Sequence, residues 1–523
     1  MNDHTKMNRR SFIGSSLMAG TALSAGLGVT PSWAQESQPK RGGTFRLAVS
    51  SGATTDSFDP ASVTGGPLAK ALYGGVCNNL AEVDADGNII PELAESIEPS
   101  ADAKTWVFKL RSGVNFGDDR PCTADDVIAS YKHHMGEDSK SAAKSLLDQV
   151  IDIRKDGDHT VVFELQAGNA DFPFVTADYH LMIMPGKLDG TLDWQAGVGT
   201  GGYLLVEHQP GVRVHLRRRD DYWKEGRAWF DEVELLNITD PATRQNALIT
   251  GEVDAINQVD LKTVHLLRRN TDIRIDEVTG TSHFTMPMLT DIAPFDNVDM
   301  RLAMKYAIDR EQMLERVLRG YGRVGNDHPI APANRFFADD IEQRMYDPDK
   351  AKFHLKQAGY DSIDIEVSAS EAAFNGAVDS AVLFKESAAA AGINVTVKRE
   401  PADGYWSDVW LKKPVCFSYW NGRPTEDWMF SLAFASGVDW NESRWSNTSF
   451  DSLLVEARSE LDEAKRRDMY REMQTIVRDD GGVAVPLFAN YVDASSTRVA
   501  HGKLASNRFL DGWKVVERWW FAE

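Results

Sequence analysis

The stretch from 91 to 131, PELAESIEPSADAKTWVFKLRSGVNFGDDRPCTADDVIASY, constrains the fold more than any other, because it prescribes strand, turn and helix in a fixed order. Trp106, Phe108 and Leu110 alternate with Thr105, Val107, Lys109 and Arg111, the two-residue period of a strand with one buried face. Gly113 and Gly117-Asp118 supply turns. Thr123-Ala124-Asp125-Asp126 forms a capping box, a hydroxyl with a carboxylate three residues on, and Val127, Ile128 and Tyr131 give the helix it opens an apolar side. Packing and capping account for these residues, so the stretch defines a scaffold and not a site.

The N-terminus predicts the compartment. Asn8-Arg9-Arg10-Ser11-Phe12-Ile13-Gly14 pairs two arginines ahead of a hydrophobic position, and a run rich in Ala, Gly and Ser follows to Val29. Ser32-Trp33-Ala34 places small residues at −3 and −1 of a cleavage point. Residues 1–34 therefore read as a secretory signal of the twin-arginine type, too short and too rich in small residues for a membrane span. No cysteine follows the apolar run until Cys77, so no lipid anchor is expected and the mature chain is expected to be soluble in the periplasm.

The 57 Lys and Arg against 78 Asp and Glu leave a net charge of −21, which argues against nucleic acid or an anionic membrane as partner. It also means that any anion site must be built locally. Cys77, Cys122 and Cys416 lie far apart with no CxxC spacing, which excludes a zinc ribbon or a redox pair. Three buried thiols are expected, with a Cys77–Cys122 bond left open.

A chain of 523 residues exceeds what one core uses, so at least two domains are expected. Gly-bounded strands open the body at 42–49 and recur at 160–165. The second half turns helical: an apolar stripe of Leu302, Ala303, Tyr306, Ala307, Met313, Val317 and Leu318 predicts a helix over 297–320. Asp347-Pro348 starts another that ends at Gly359, and Gly392 stops one over 377–391. A long amphipathic pair fills 450–477.

PELAES, the tryptophan-centred FKLRSGV strand and TADDVIASY together resemble the family 5 extracellular solute-binding proteins, the peptide- and nickel-type receptors of ABC importers. GGTFRLAVSS, DSFDPAS, GTGGY, RDDYW, LITGEVDA, DNVDMRLAMKYAIDR and YDPDKAKFHLKQAGY extend the likeness in order, from Gly42 to about Arg498. The resemblance implies an α/β two-lobe (Venus-flytrap) fold with mixed sheets flanked by helices and an extra third domain. It places lobe 1 at 35–75, 199–286 and 489–523, the appended domain at 76–198, and lobe 2 at 287–488. The crossings would fall near Met286–Met288 and Leu487–Asn490.

Enzyme patterns are weak. Gly197-Val198-Gly199-Thr200-Gly201-Gly202-Tyr203 lacks GxGxxG spacing, a following helix and a Walker lysine. His133-His134 and the other histidines lack i, i+4 metal spacing, and neither GxSxG nor SxxK occurs. Paired acids such as Asp125-Asp126 and Asp479-Asp480 are neighbours in sequence that do not face one site. No catalytic residue, metal or cofactor is expected.

The candidate ligand residues centre on Tyr419-Trp420-Asn421-Gly422-Arg423-Pro424-Thr425-Glu426-Asp427-Trp428, a turn-rich segment that carries aromatics and an arginine able to fork onto a carboxylate. Peptide-binding members of the family look like W-x-G-D or W-x-x-D here, the acid holding the peptide ammonium. Arg423 stands in place of that acid, which reverses the local charge and implies an anionic ligand group. The competing reading pairs Arg423 with Glu426 or Asp427. Trp420, Asn421 and Trp428 flank it. The resemblance adds Phe58 on the DSFDPA loop, Met286 and Met288 at the crossover, and Tyr405-Trp406.

These readings converge on a monomeric periplasmic receptor that binds a small polar, peptide-like or carboxylate-bearing solute and hands it to an inner-membrane ABC permease. A secreted hydrolase of peptides or glycans is the rival of another class. An opine-like conjugate, an oligosaccharide or a metal chelate is the rival ligand on the same scaffold.

Overall fold

The structure, a computed structural model, describes residues 39–63 and 65–522; the expected signal at 1–34 lies outside the described residues. Nine strands form the main sheet. From one edge they run Ser418–Trp420, Ile273–Pro287, Val483–Ser496, Ala255–Ile256, Thr44–Val49, Glu232–Asn237, Arg213–Arg218 and Tyr203–Gln209, with Gly322–Val324 also paired to Val483–Ser496. Thr44–Val49 is parallel to both of its neighbours, and the remaining pairs are antiparallel.

Two strands of this sheet are long, of 15 and 14 residues. They pair antiparallel from Ile273 opposite Ser496 to Pro287 opposite Val483. One end lies in the sheet that covers the core of Phe45, Leu47, Leu216, Phe230 and Leu235. At the other end Met286, Met288 and Leu487 enter a second core, built with the helices Val298–Tyr306 and Ala377–Ala389. The latter helix connects the parallel strands Ile363–Ala369 and Ile393–Arg399 as a β-α-β unit. The result is the expected two-lobe α/β architecture.

The third part is a four-stranded antiparallel sheet in the order Ala94–Pro99, Thr105–Leu110, Thr160–Leu165, Val150–Lys155. Its own core contains Trp106, Phe108, Tyr131, Phe163 and Phe172. The helix Ala124–Lys132 starts where the sequence places it: the Asp126 carboxylate accepts from Thr123 N at 2.8 Å and from Thr123 Oγ1 at 2.9 Å. Lys224 ties this part to the main sheet, its ammonium 3.2, 2.7 and 3.0 Å from Glu82, Glu92 and Glu517. Burial opposes that charge, but the carboxylates win and hold its pKa well above the ordinary lysine value.

One helix differs from expectation. The stripe over 297–320 forms two helices, Val298–Tyr306 and Arg310–Val317, because Asp309 caps the second by accepting from Gln312 N at 3.0 Å. Cys77, Cys122 and Cys416 are buried free thiols. No helix among the described residues is long and apolar enough to cross a membrane.

Candidate functional site

A cavity of about 410 Å³ forms where four distant segments meet: Asn421–Pro424, Asp178–His180, Tyr491 and Asn507–Trp513. The first of these is positioned by close approach. A Cβ on Gly422 would lie 1.9 Å from Thr281 Oγ1, so only glycine lets the loop cross there. Thr281 sits in an irregular stretch of the long strand, where the register shifts between Val278 and Ser282. Thr425 then caps the helix Glu426–Ala433 by accepting from Trp428 N at 3.2 Å, which sets Trp428 on the cavity wall.

Arg423 is not paired with Glu426 or Asp427. Glu426 is buried and accepts from Phe336 N at 2.6 Å, and Asp427 accepts from Arg458 Nε at 3.1 and 3.3 Å. Among the described residues the Arg423 guanidinium donates only to its own loop, to Asn421 O at 2.8 Å and Gly422 O at 3.5 Å, and it lies 5.8 Å from the Trp420 ring centroid. Burial lowers its pKa, the charge of Arg508 lowers it further, and Asp178 opposes both.

Arg508 lines the same cavity. Its guanidinium lies 4.5 Å from the Tyr179 ring and 4.8 Å from the Trp513 ring, and 3.8 Å from Asp178. Asp178 accepts from His180 Nδ1 at 2.6 Å and from His180 N at 3.0 Å. Burial works against ionisation of Asp178, yet the His180 bond and charge, followed by Arg508, hold its carboxyl below the ordinary value. With Nδ1–H given to Asp178, His180 Nε2 is buried and has no hydrogen-bond partner among the described residues.

The segment that presents Arg508 is strained. Leu510, Asp511, Gly512 and Trp513 all have left-handed backbone, with φ of 54, 55, 67 and 67°. Each non-glycine residue there costs on the order of 1–2 kcal/mol. Hydrogen bonds hold it: Asp493 accepts from Leu510 N at 2.6 Å, and Asp511 accepts from Ala505 N at 2.8 Å and from Arg518 at 3.2 Å. Behind Trp513 lies the Lys70 ammonium, 4.1 Å from its ring, with a pKa that burial pulls down to about 7.

The structure thus brings together Arg423, Asn421 and Trp428, with Trp420 buried beneath them. The other expected contacts stand apart. Met286 and Met288 are fully buried in the lobe core, where packing claims them. Phe58 packs against His208, with ring centroids 5.1 Å apart. Tyr405 is buried and donates to Phe417 O at 2.6 Å, and Trp406 packs edge-on against Tyr405, Trp410 and Tyr419 at the surface. The sequence reading missed Asp178, Tyr179, His180, Tyr491, Arg508 and Trp513. Asp178-Tyr179-His180, a polar run that closes the apolar helix Phe172–Thr176, is a usable signal; Leu510, Asp511 and Trp513 announce no left-handed turn.

A buried Asp–His pair is also half of a catalytic relay. Here, among the described residues, no hydroxyl or thiol is bonded to His180 Nε2.

Residues 88–442 match the model of the bacterial extracellular solute-binding proteins, family 5, and the chain belongs to that family. It is 27% identical to Heme-binding protein A of Haemophilus influenzae over 81% of this chain and 83% of that protein. It is 28% identical to Di/tripeptide-binding protein 2 of Pseudomonas aeruginosa over 87% and 90%. Among solved structures it superposes on HbpA2 from Haemophilus parasuis with a TM-score of 0.81 at 21% identity, covering 89% of this chain and 98% of that one.

Proposed function

We propose that this chain is the periplasmic receptor of an ABC importer, and that it captures a small solute through a carboxylate or other anionic group held by Arg423. The observation that carries the reading is a guanidinium in an interlobe cavity that, among the described residues, has no carboxylate within ion-pair distance and donates only to its own loop. Relatives named as binding proteins for peptides and heme support a transport role. In this reading residues 1–34 direct export, and the lobes (35–75, 199–286 and 489–523 against 287–488, with 76–198 appended) close about hinges near Met286 and Leu487. Closure excludes water from the cavity, and the permease recognises the closed form.

The test is to identify the solute that co-purifies with the protein by mass spectrometry, then measure its affinity by calorimetry. A charge-assisted bidentate contact leaves a buried unpaired anion when truncated, at a cost of about 2–4 kcal/mol. Arg423→Ala should therefore weaken binding roughly 30- to 1000-fold, and Arg423→Lys should recover only part, because an ammonium lacks the planar fork. Unchanged affinity in Arg423→Ala would refute the assignment.

A further inference from the structure

The charges that line this cavity restrict its ligand beyond the presence of one anion. Among the described residues lining it, Asp178 is the one carboxylate, and it is already engaged by His180 Nδ1 at 2.6 Å, His180 N at 3.0 Å and Arg508 at 3.8 Å. Two guanidiniums line the same space. Resting on the receptor reading above, we propose that the cavity selects a solute with two anionic groups and no free ammonium, with Arg508 as a second anion anchor alongside Arg423.

Three features support Arg508 in that role. Its guanidinium lies 4.5 Å from the Tyr179 ring centroid and 4.8 Å from that of Trp513, and the two rings stand 4.9 Å apart, so they pack against it from one side and leave the other side to a ligand. Among the described residues its one carboxylate contact, at 3.8 Å to Asp178, is longer than a hydrogen bond, so no carboxylate there saturates its edge. It also stands on extended backbone two residues ahead of the left-handed run Leu510–Trp513, backbone strain held in place by buried carboxylates beside the cavity.

An ammonium fares badly here. A free peptide N-terminus would sit beside two positive charges with no uncommitted carboxylate to accept it, and its desolvation would go uncompensated. An amide N–H in its place carries no charge. It suits His180 Nε2, a buried ring nitrogen that has no hydrogen-bond partner among the described residues, in the tautomer that gives Nδ1–H to Asp178. Near 410 Å³ the cavity falls at the small end of ligand sites, which favours a compact diacid over a long chain.

The experiment uses matched pairs that differ only in the amine: N-acetyl-L-glutamate against L-glutamate, and N-acetyl-L-alanyl-L-glutamate against L-alanyl-L-glutamate. Each is titrated by calorimetry into the wild type, Arg508→Gln and Arg508→Lys, with thermal melts as the folding control. The blocked diacids should bind at least about tenfold tighter than their free-amine partners. They should lose about 10- to 100-fold in Arg508→Gln, with partial recovery in Arg508→Lys. Equal or tighter binding of the free amines overturns the inference while leaving the receptor reading intact, as does unchanged affinity in a folded Arg508→Gln. Failure of every blocked and free member to bind refutes the inference. A co-purified solute that reacts with a primary-amine reagent does the same, and by its presence supports the receptor reading.

Discussion

Asp171 offers the most direct test of closure. Its carboxylate accepts from Arg466 Nη1 at 2.9 Å and Nη2 at 2.7 Å, and from Arg335 Nη2 at 3.1 Å. Asp171 and Arg466 are both buried, and they stand 295 residues apart: the acid beside the four-stranded sheet, the arginine on the helix Glu463–Asp480. Ala170 N adds a bond of 2.7 Å to Arg458 O. The clamp therefore joins the four-stranded part to the helix Glu463–Asp480, and in the hinged receptor proposed above it exists only when the two meet. Asp171→Asn keeps the shape and removes the charge. Orphaning one partner of a buried pair costs about 3–5 kcal/mol, and here the molecule can relieve it by opening and rehydrating Arg466. Taking about 3 kcal/mol, the closed-to-open ratio falls roughly 150-fold. Small-angle scattering should show a larger radius of gyration for the ligand-free variant, and solute affinity should fall in parallel. Adding Arg466→Met removes the orphaned cation and should restore part of the closed population. A variant with unchanged scattering and unchanged affinity, but a lower melting temperature, would show that the clamp is static and that closure does not use it.

Two further outcomes follow from burial. His134 and His283 are held neutral by burial with pKa values near 4, and His328 near 3, against an ordinary value of 6.5. The unfolded chain takes up protons below pH 6.5 that the folded chain refuses, so stability is lost as pH falls from about 6.5 toward 4. The slope reaches about 4 kcal/mol per pH unit if all three contribute. Urea unfolding at pH 7 and pH 5 measures this, and equal stabilities would refute it. Burial also pushes the Cys77 thiol up to about 12, and Cys122 and Cys416 are equally buried. A thiol reagent should find no reactive group in the native protein and three in non-reducing denaturant; one would mean that Cys77 and Cys122 are bonded.

What was legible in the sequence divides by the range of the interactions. The strand at Trp106–Leu110 and the capping box at Thr123–Asp126 are written in local periodicity and local hydrogen bonding, and both form as read. The break at Asp309 was hidden because the apolar stripe continues across it, while the capping carboxylate acts on only one turn. The site is harder. The place of Arg423 on the cavity wall follows from a turn-rich loop that carries two tryptophans and a guanidinium; its role as an anion anchor is the proposal above. Met286 and Met288 misled because a side chain that suits an adaptable wall suits a core equally well. Arg508 was invisible: it reaches the cavity by a left-handed turn made of residues that do not favour one, sustained by Asp493 from a different strand.

The chain's total charge adds a kinetic consequence that sets it apart from receptors steered by their own field. At a net charge of −21 it repels an anion until the anion reaches the guanidiniums. A dianion at about 30 Å, roughly the radius of a globular chain of this length, meets an unscreened repulsion of about 6 kcal/mol in water. A Debye length of about 30 Å at 0.01 M salt leaves about 2 kcal/mol of that, and one of about 8 Å at 0.15 M leaves about 0.1 kcal/mol. The difference caps the gain in association rate at roughly 30-fold between the two salts. The local field of Arg423 and Arg508 reduces the gain, because it attracts at short range while the surface repels at long range. The expected result is association that accelerates with salt, together with dissociation that changes little, since the bound groups are shielded from solvent. Stopped-flow tryptophan fluorescence with N-acetyl-L-glutamate reads both rates, Trp428 and Trp513 being on the cavity wall. Association that slows as salt rises would mean that the long-range field at the cavity mouth is positive, and that local construction is not what admits the anion.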